Sequence, residues 1–190
     1  MSLLLILSIS FIVIIYKVYR LVREKNKMYN IEKAKEDDLE EYHKIILSRC
    51  KWFEDNKINQ WKIHSYPVRF DVSYFKKQMK ENKLFIAKKD GVVVGGFLLK
   101  EKDYDYWSDC DNVKAYYIHH FVAKIGENGL GKIMIDFAQK EAKKNKKEYL
   151  RLDCVSDNKK LNNYYQKLNF ENVGSIQIKN WSENLWQIKL

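Results

Sequence analysis

The sequence predicts an α/β domain at residues 29–190, behind an apolar N-terminal segment. Two observations predict this fold class. Strand and helix patterns alternate from Ala115 to Gly174, and Asp90-Gly91 marks a hairpin between two apolar runs earlier in the chain. The chain has 190 residues, 46% of them hydrophobic and 14% aromatic. That composition supports one ordinary core and is not typical of a disordered protein.

The N-terminal segment from Met1 to Tyr16 carries no charged side chain. A membrane-spanning helix needs about 20 residues, and the apolar residues up to Val22 complete one if the basic residues among them extend to the interface. Basic residues follow the run instead of preceding it, which argues against a cleaved signal peptide. We expect a single-pass membrane anchor at 1–22 and a linker at 23–28, with the domain in the cytoplasm. The alternative is a buried helix of the domain.

The net charge of +10 is unevenly distributed. Five basic residues and one acidic residue lie between Lys17 and Met28, so +4 of the charge adjoins the apolar run. The remaining +6 is dispersed over the domain. That pattern argues against a nucleic-acid-binding surface, and we expect no nucleic-acid partner.

The cysteines show neither paired spacing nor a Cys/His pattern of the kind that binds zinc. Their odd number indicates reduced thiols in the cytosol. We therefore predict no disulfide and no metal site. The three residues are Cys50, Cys110 and Cys154.

The first part of the domain predicts one strand and two helices. Residues 29–35 alternate weakly and predict the strand. Asp37-Asp38 precedes apolar residues at helical spacing, which predicts a capped helix that ends at about Glu54. A second helix begins near its predicted N-cap, Asp71.

Two hairpins are predicted. Asp90-Gly91 lies between apolar runs and is typical of a two-residue hairpin turn. Gly95-Gly96 in the second run indicates a bulge or a close backbone approach. Short runs at 176–178 and 185–190 predict a closing hairpin. The strands of the first hairpin are predicted at 84–88 and 92–100.

The central part of the domain predicts a strand at 115–123, a glycine-rich turn at 126–131 and an amphipathic helix that ends near Lys147. A second strand at 149–155 and a second helix up to Phe170 follow. Glycines let the backbone approach a ligand, and a helix N-terminus directs N–H groups and a positive potential at one spot. The turn is a candidate anion site, although it could also be a tight connection.

The order of motifs in this part is more informative than the turn alone. The second strand is followed by Asp157-Asn158, then by Leu161, Tyr165 and Leu168 on one helical face, and then by Asn169-Phe170. Together with the Gly-x-x-Gly-x-Gly turn, this order resembles the core of the GNAT family of N-acetyltransferases, and the resemblance covers residues 29–190. It implies a mixed central sheet with a splayed central strand pair and helices on both faces.

The resemblance implies acetyl-CoA as co-substrate, with its pyrophosphate in the turn and its pantetheine arm between the splayed strands. Gly126 stands where the family has Gln or Arg, which removes one side-chain contact. We expect binding to survive, because backbone N–H groups hold the pyrophosphate. The implied binding residues are Phe121, Val122, Ala123, Gly126, Asn128, Gly129, Leu130, Gly131, Lys132, Asn158 and Tyr165.

The resemblance also implies two catalytic residues. His119 matches the base of the arylalkylamine branch, and an imidazole suits proton removal near neutral pH. Tyr165 matches the tyrosine that protonates the departing thiolate. The alternatives are a structural histidine and a core tyrosine. Strand alternation allows only one of the two adjacent histidines to face the cleft, so we interpret His120 as structural.

The acceptor side is less well defined. The loop at 101–111 is rich in acidic and aromatic residues, which suits a cationic amine, although it could be a solvated loop. Aromatic residues of the first two helices and their connection are candidate walls of the acceptor site, with core packing as the alternative. They are Trp52, Phe53, Trp61 and Tyr74.

The sequence thus predicts an acyltransferase that moves the acetyl group of acetyl-CoA to a primary amine, on a small molecule or a peptide, by direct attack in a ternary complex. A strand N–H near Val122 would hold the developing oxyanion. The alternative is a non-catalytic acyl-CoA-binding scaffold at the membrane. The sequence leaves the acceptor open, and it allows a monomer or a homodimer.

Overall fold

The computed structural model describes Ile14 and residues 28–178 and 180–190. Apart from Ile14, the anchor expected at 1–22 lies outside these residues, as does the linker before Met28. No helix in the described part of the chain has the length and apolarity needed to cross a membrane. The strands are β1 (Tyr29–Lys33), β2 (Leu84–Lys89), β3 (Val92–Lys100), β4 (Ala115–Ala123), β5 (Tyr149–Val155), β6 (Glu171–Ile178) and β7 (Trp181–Lys189). The helices are α1 (Leu39–Asp55), α2 (Tyr66–Arg69), α3 (Val72–Lys80), α4 (Leu130–Lys144) and α5 (Lys159–Lys167).

The seven described strands form one sheet in the order β1-β2-β3-β4-β5-β7-β6. Every neighbouring pair is antiparallel except β4 and β5, which are parallel. β4 and β5 pair only from Ala115 with Tyr149 to Tyr117 with Arg151, and beyond these residues the two strands separate. The structure therefore has the predicted mixed sheet with a splayed central pair.

Helices cover both faces of the sheet, as predicted. α4 and α5 lie on one face and α1 and α3 on the other, and each face has its own apolar cluster. Each fully buried Leu, Ile or Phe in such a cluster stabilises the fold by roughly 1.5–3 kcal/mol. Buried residues of the first face include Met134, Ile135, Ala138 and Tyr165, and those of the second include Tyr42, Ile46 and Phe75.

The turn and cap predictions agree with the structure in two places. Asp90 and Gly91 have φ values of 51° and 80°, as expected for a hairpin turn of this sequence. The Asp71 carboxylate accepts a 2.8 Å hydrogen bond from the N–H of Tyr74 and so caps α3. α4 ends at Lys144 and not near Lys147, because Asn145 follows as its C-cap and Lys146 has a positive φ of 54°.

Gly95 and Gly96 lie where the backbones approach closely, as predicted. A Cβ atom at Gly95 would lie 2.7 Å from the carbonyl oxygen of Val122, and one at Gly96 would lie 2.6 Å from the carbonyl oxygen of Phe85. Both obstacles are backbone atoms of neighbouring strands, so they cannot move aside cheaply. Only glycine fits at these two positions without shifting a strand.

Candidate active site

The slot of the candidate site is the gap that opens between β4 and β5. The N–H of Lys124 donates to the carbonyl oxygen of Val94 on β3 at 2.7 Å. Because the N–H and C=O of one trans peptide unit point in opposite directions, the carbonyl group of Ala123 points into the gap. Beyond Tyr117, the gap-facing edge of β4 therefore has no strand partner among the described residues.

Arg49 of α1 lies at this end of the gap. Its Nη2 atom donates to the carbonyl oxygen of Ala123 at 2.7 Å, and its guanidinium lies 5.2 Å from the ring centroid of Trp52. Burial lowers the pKa of Arg49, but a guanidinium stays charged at neutral pH. Among the described residues no carboxylate pairs with it. A cation without a counter-charge thus lies just before the glycine-rich turn.

The glycine-rich turn leads into the N-terminus of α4 through two glycines with a positive φ. Gly126 and Gly129 have φ values of 94° and 86°. Gly129 is the N-cap of α4 and has no side chain to satisfy the first N–H groups of that helix. The N-terminus of α4 can therefore direct its N–H groups and its dipole at a phosphate group.

Glu127, the acidic residue of this turn, is bound by residues of β1 and β2. The Glu127 carboxylate accepts a 2.5 Å hydrogen bond from the hydroxyl of Tyr29, and Lys89 lies 3.5 Å from the same oxygen. The hydrogen bond from Tyr29 contributes most to lowering the pKa of Glu127. Its negative charge is thus engaged at the outer edge of the sheet.

Three other residues predicted to bind the co-substrate make protein contacts. Lys132 forms an ion pair of 2.7 Å with Asp136 on the surface of α4. The N–H of Asn128 donates to the carbonyl oxygen of Gly126 at 2.9 Å and closes the turn. The side-chain amide of Asn158 caps α5 through its oxygen and donates through its nitrogen to the side chain of Gln60 at 2.7 Å. Asn158 therefore links α5 to the connection between α1 and α2.

Gly131 and Tyr164 meet where α4 and α5 face each other. A Cβ atom at Gly131 would lie 2.6 Å from the hydroxyl oxygen of Tyr164. The first turn of α4 therefore has a phenol against it, which the sequence analysis had not placed there. The ring of Tyr164 lies 5.6 Å from that of Tyr165.

Tyr165 is 5% exposed and belongs to the apolar cluster between α4, α5 and the sheet, together with Phe121 and Ala123 of β4. Burial raises the pKa of Tyr165 well above 10, so its hydroxyl is protonated at neutral pH. That protonation state is the one required of a proton donor. Val122, by contrast, packs on the α1 side of the sheet.

The prediction that His119 and His120 point to opposite faces is wrong. β4 carries a bulge, because Leu98 pairs with His119 but Gly96 pairs with Val122. His120 has a positive φ of 50°. A bulge inserts one residue and shifts the alternation of side chains. Both imidazoles consequently lie on the sheet face that α1 and α3 cover.

His120 makes the contacts of a structural residue. Its Nδ1 atom lies 2.6 Å from the hydroxyl of Tyr66 and its Nε2 atom lies 3.2 Å from that of Tyr74. The hydroxyl of Tyr42 donates to its carbonyl oxygen at 2.6 Å. Burial lowers the pKa of His120 well below 6.5, so the ring is neutral. Helices α1, α2 and α3 thus each hold the bulge through one tyrosine.

His119 faces a group of carboxylates. One carboxylate oxygen of Asp103, one carboxylate oxygen of Asp153 and one imidazole nitrogen of His119 all lie within 4.8 Å of one another. Oδ2 of Asp103 and Nε2 of His119 are 3.2 Å apart, but neither atom makes a hydrogen bond with any described residue. Imidazole and carboxylate groups of this kind can hold a cation and accept a proton.

Two acidic residues of the site were missed by the sequence analysis. Burial raises the pKa of Asp153 to about 6, against the opposing effect of His119 and with a smaller contribution from the charge of Asp103. Burial, and next the charge of Asp153, raise the pKa of Glu183 to about 7. The alternation of Arg151 and Asp153 between apolar residues of β5 could have placed Asp153 on this face. No local pattern around Glu183 does the same.

Some residues of the loop at 101–111 make structural contacts, and others lie at the candidate site. Asp109 binds the guanidinium of Arg151 with two oxygens, at 2.8 and 3.0 Å, and Trp107 is buried. Asp111 pairs with Lys102 at 2.8 Å. Only Asp103 among these three carboxylates joins the group around His119.

The aromatic residues predicted as acceptor walls also divide. The ring of Trp61 stacks on Tyr66 at 4.5 Å with an interplanar angle of 11°, and Tyr74 contacts His120. These rings lie next to the bulge. Phe53 is buried under Trp61, and Trp52 contacts Arg49 at the other end of the gap. Trp61 and Tyr74 therefore fit the prediction better than Phe53 and Trp52.

Comparison with known proteins decides the family. The family model described as "Acetyltransferase (GNAT) family" matches residues 46–170. The chain belongs to the GNAT family of acetyltransferases. The predicted GNAT fold and acyltransferase activity are thereby confirmed.

Relatives of this GNAT protein include one from Bacillus subtilis, described as an uncharacterized N-acetyltransferase YesJ, which is 23% identical over 145 residues. That match covers 73% of the present chain and 79% of YesJ. A solved GNAT acetyltransferase from Listeria monocytogenes is 24% identical, with a TM-score of 0.69 over 85% of this chain and 95% of its own. PaiA N-acetyltransferase from Thermoplasma acidophilum, solved in complex with coenzyme A, is 18% identical, with a TM-score of 0.68 over 85% and 99%.

Proposed function

We propose that this acetyltransferase moves the acetyl group of acetyl-CoA to a primary amine by direct attack in a ternary complex. The observation that carries the proposal is the gap between β4 and β5. It leads from the glycine-rich turn at 126–131 to the group formed by Asp103, His119 and Asp153. Binding both substrates in one slot supplies proximity. The complex of the Thermoplasma acidophilum relative with coenzyme A supports the choice of donor.

The residues that would hold acetyl-CoA fit an elongated anionic thioester. The N–H groups at the start of α4 take the pyrophosphate, and the gap-facing backbone of Ala123 pairs with the pantetheine amides. Arg49 supplies the cationic side chain that Gly126 lacks at the start of the turn. This assignment of Arg49 rests on its unpaired guanidinium at the Ala123 carbonyl group.

Backbone direction identifies the donors for the developing oxyanion. The carbonyl oxygen of Val122 lies against Gly95 on β3. The N–H and C=O of one strand residue point to the same neighbour, so the N–H of Val122 also faces β3. The N–H groups that face the gap are then those of Phe121 and Ala123, on either side of Val122. We assign the oxyanion contact to this pair.

The proton transfers follow from two side chains. Nε2 of His119, 3.2 Å from Asp103, takes a proton from the ammonium so that the neutral amine can attack. The C–N bond forms and the C–S bond breaks as the protonated hydroxyl of Tyr165 gives its proton to the leaving thiolate. The nitrogen of the new amide then loses its second proton, which restores the Tyr165 hydroxyl through solvent. Acetyl-CoA supplies the acetyl thioester, and no metal is assigned to any step.

We further propose that the chain is a single-pass membrane protein with its acetyltransferase domain in the cytoplasm. The uncharged run from Met1 to Tyr16 and the basic residues after it support this topology. Membrane fractionation of cells that express the full chain tests it. The protein should stay in the pellet after an alkaline wash, and release by that wash would contradict the anchor.

The activity is tested with the full chain in detergent. Free thiol is measured after mixing acetyl-CoA with a panel of amines and peptides, and the acetylated product is identified by mass spectrometry. Thiol release that depends on an acceptor supports the proposal. Binding of acetyl-CoA without thiol release for any acceptor would support the scaffold alternative.

A further inference from the structure

The carboxylates of the acceptor side have no cationic partner in the described part of the chain. Asp103, Asp153 and Glu183 make no ion pair with a lysine or an arginine there; the imidazole of His119 lies 3.2 Å from Asp103, and the charge of Lys100 acts on Asp153 without an ion pair. Glu183 accepts a 3.0 Å hydrogen bond from the indole N–H of Trp181. The three carboxyl groups therefore lie close together, and the basic group next to Asp103 is the imidazole of His119.

One of these groups has an unpartnered atom inside the protein. Asp103 is 6% exposed, and its Oδ2 atom has no hydrogen bond among the described residues. An imidazole nitrogen of His119 and a carboxylate oxygen of Asp153 lie within 4.8 Å of a carboxylate oxygen of Asp103. Nε2 of His119 also has no hydrogen bond among the described residues. A buried carboxylate oxygen without a donor is costly, so this geometry favours a ligand that brings N–H donors and positive charge.

The position of the group relates it to the reacting amine. His119 and Asp153 each lie two residues beyond Tyr117 and Arg151, the last paired residues of β4 and β5. The group therefore lines the start of the gap on the sheet face that α1 and α3 cover, which we call the acceptor face. Asp153 pairs with Leu185 and Val155 pairs with Glu183, so the two carboxylates are diagonal neighbours on β5 and β7.

The free protein accommodates this concentration of negative charge by keeping protons. The raised pKa values of Asp153, about 6, and Glu183, about 7, mean that the pair is partly protonated near neutral pH. A bound ammonium ion would replace these protons. Tyr106, whose ring lies 6.5 Å from that of His119, adds an aromatic face at the same place.

We propose that the acceptor is an amine with at least two amino groups, and that Asp103, Asp153 and Glu183 bind the ammonium group that does not react. This proposal rests on the acetyl transfer proposed above. When a monoamine loses its proton in order to attack, the positive charge passes to the imidazole of His119, and no second cation is left to bind the carboxylates. A diamine keeps one ammonium group throughout, because His119 takes a proton only from the amine that forms the new C–N bond.

The proposal is tested by comparing 1,4-diaminobutane with 1-aminobutane as acceptors for the full chain in detergent at pH 7.5. We expect kcat/KM to be at least about 30-fold higher for the diamine, as for a charge-assisted contact in a buried site. Equal values for the two amines would overturn the proposal. So would an equal value for a lysine-free peptide with a free N-terminus. Absence of thiol release with every amine would instead refute the proposed acetyl transfer.

Matched variants separate the carboxylates from the general charge of the loop. Glu183→Gln and Asp153→Asn should each lower the diamine-to-monoamine ratio of kcat/KM at least about 10-fold. Asp105→Asn removes an exposed charge from the same loop and should keep the ratio of the wild type. A ratio that is unchanged in both Glu183→Gln and Asp153→Asn would overturn the assignment.

A direct binding measurement distinguishes an ammonium site from a metal site with the same ligands. Calorimetry of 1,4-diaminobutane with the full chain in the presence of EDTA should give saturable binding, which Glu183→Gln weakens at least about 10-fold. Diamine binding that requires added Zn²⁺ would overturn the proposal.

Discussion

The hydroxyl of Tyr42 donates a 2.6 Å hydrogen bond to the carbonyl oxygen of His120, across 78 residues of sequence. This bond joins α1 to the bulge of β4, where His120 has its positive φ of 50°. The bulge in turn brings His119 and His120 to one face of the sheet. The position of the proposed base thus depends on a residue of another element.

Tyr42→Phe removes this bond and leaves a buried carbonyl group without a donor. We expect the free energy of unfolding to fall by about 1–3 kcal/mol, measured by chemical denaturation. Tyr104→Phe is the matched control, because the Tyr104 hydroxyl donates to Asp111 at the exposed surface. The control should stay within about 0.5 kcal/mol of the wild type. Equal stability of the two variants would contradict the role of Tyr42.

Gly95→Ala places a Cβ atom 2.7 Å from the carbonyl oxygen of Val122. Because that oxygen belongs to the backbone of β4, relief requires a strand shift, and we expect a loss of about 2 kcal/mol or more. Gly91→Asn in the hairpin turn is the control, since a Cβ atom there has open space and asparagine tolerates a positive φ. Thermal denaturation should show a lower Tm for Gly95→Ala than for Gly91→Asn, and the reverse order would refute the packing argument.

The pair Asp153 and Glu183 predicts a pH dependence of stability. Their pKa values in the folded protein, about 6 and about 7, lie above the ordinary values of 3.8 and 4.5. The folded state therefore binds more protons than the unfolded state between about pH 4 and pH 7. The stabilisation from the neutral carboxyl groups is full below that window and is lost as the pH rises through it.

The double variant Asp153→Asn/Glu183→Gln removes both titrations. We expect its advantage in free energy of unfolding over the wild type to be larger at pH 8 than at pH 5, by about 2–4 kcal/mol. Denaturant titrations at the two pH values measure it, with Asp105→Asn as the control. A difference in free energy of unfolding that does not change with pH would show that the protonation of Asp153 and Glu183 is not coupled to folding.

Arg49→Met should weaken the binding of acetyl-CoA about 10-fold, because it removes the cation at the Ala123 carbonyl group, next to the turn that would hold the pyrophosphate. Calorimetry measures this change, and the affinity of the variant should depend less on salt than that of the wild type. Arg69→Met is the control, because Arg69 is exposed and lies over the ring of Phe70. Equal affinities of the two variants would remove Arg49 from the proposed binding site.

Local sequence patterns predicted most of the fold. β3, β4 and β5 have the predicted bounds, because their apolar runs end at strong turn signals such as Asp90-Gly91. The cap at Asp71 and the close approach at Gly95 likewise depend on neighbouring residues. Motif order added the splayed pair of strands, through the resemblance to the family.

The arrangement on the acceptor face could not be predicted in the same way. His120 takes its positive φ from hydrogen bonds with tyrosines of three helices, which no local pattern encodes. Asp103, Asp153 and Glu183 meet through the pairing of distant strands and a long loop. The anchor at 1–22 and the roles of His119 and Tyr165 remain predictions.

The most direct test of the account is thiol release by the full chain with acetyl-CoA and 1,4-diaminobutane, compared between the wild type, Tyr165→Phe and Tyr164→Phe. We predict release that depends on the amine, with a monoacetylated product. Loss of the proton donor should lower kcat about 100-fold in Tyr165→Phe, while Tyr164→Phe stays within a few-fold of the wild type. Full turnover in Tyr165→Phe would contradict the assigned proton donor. Tight binding of acetyl-CoA without thiol release in the wild type would contradict catalysis in this gap.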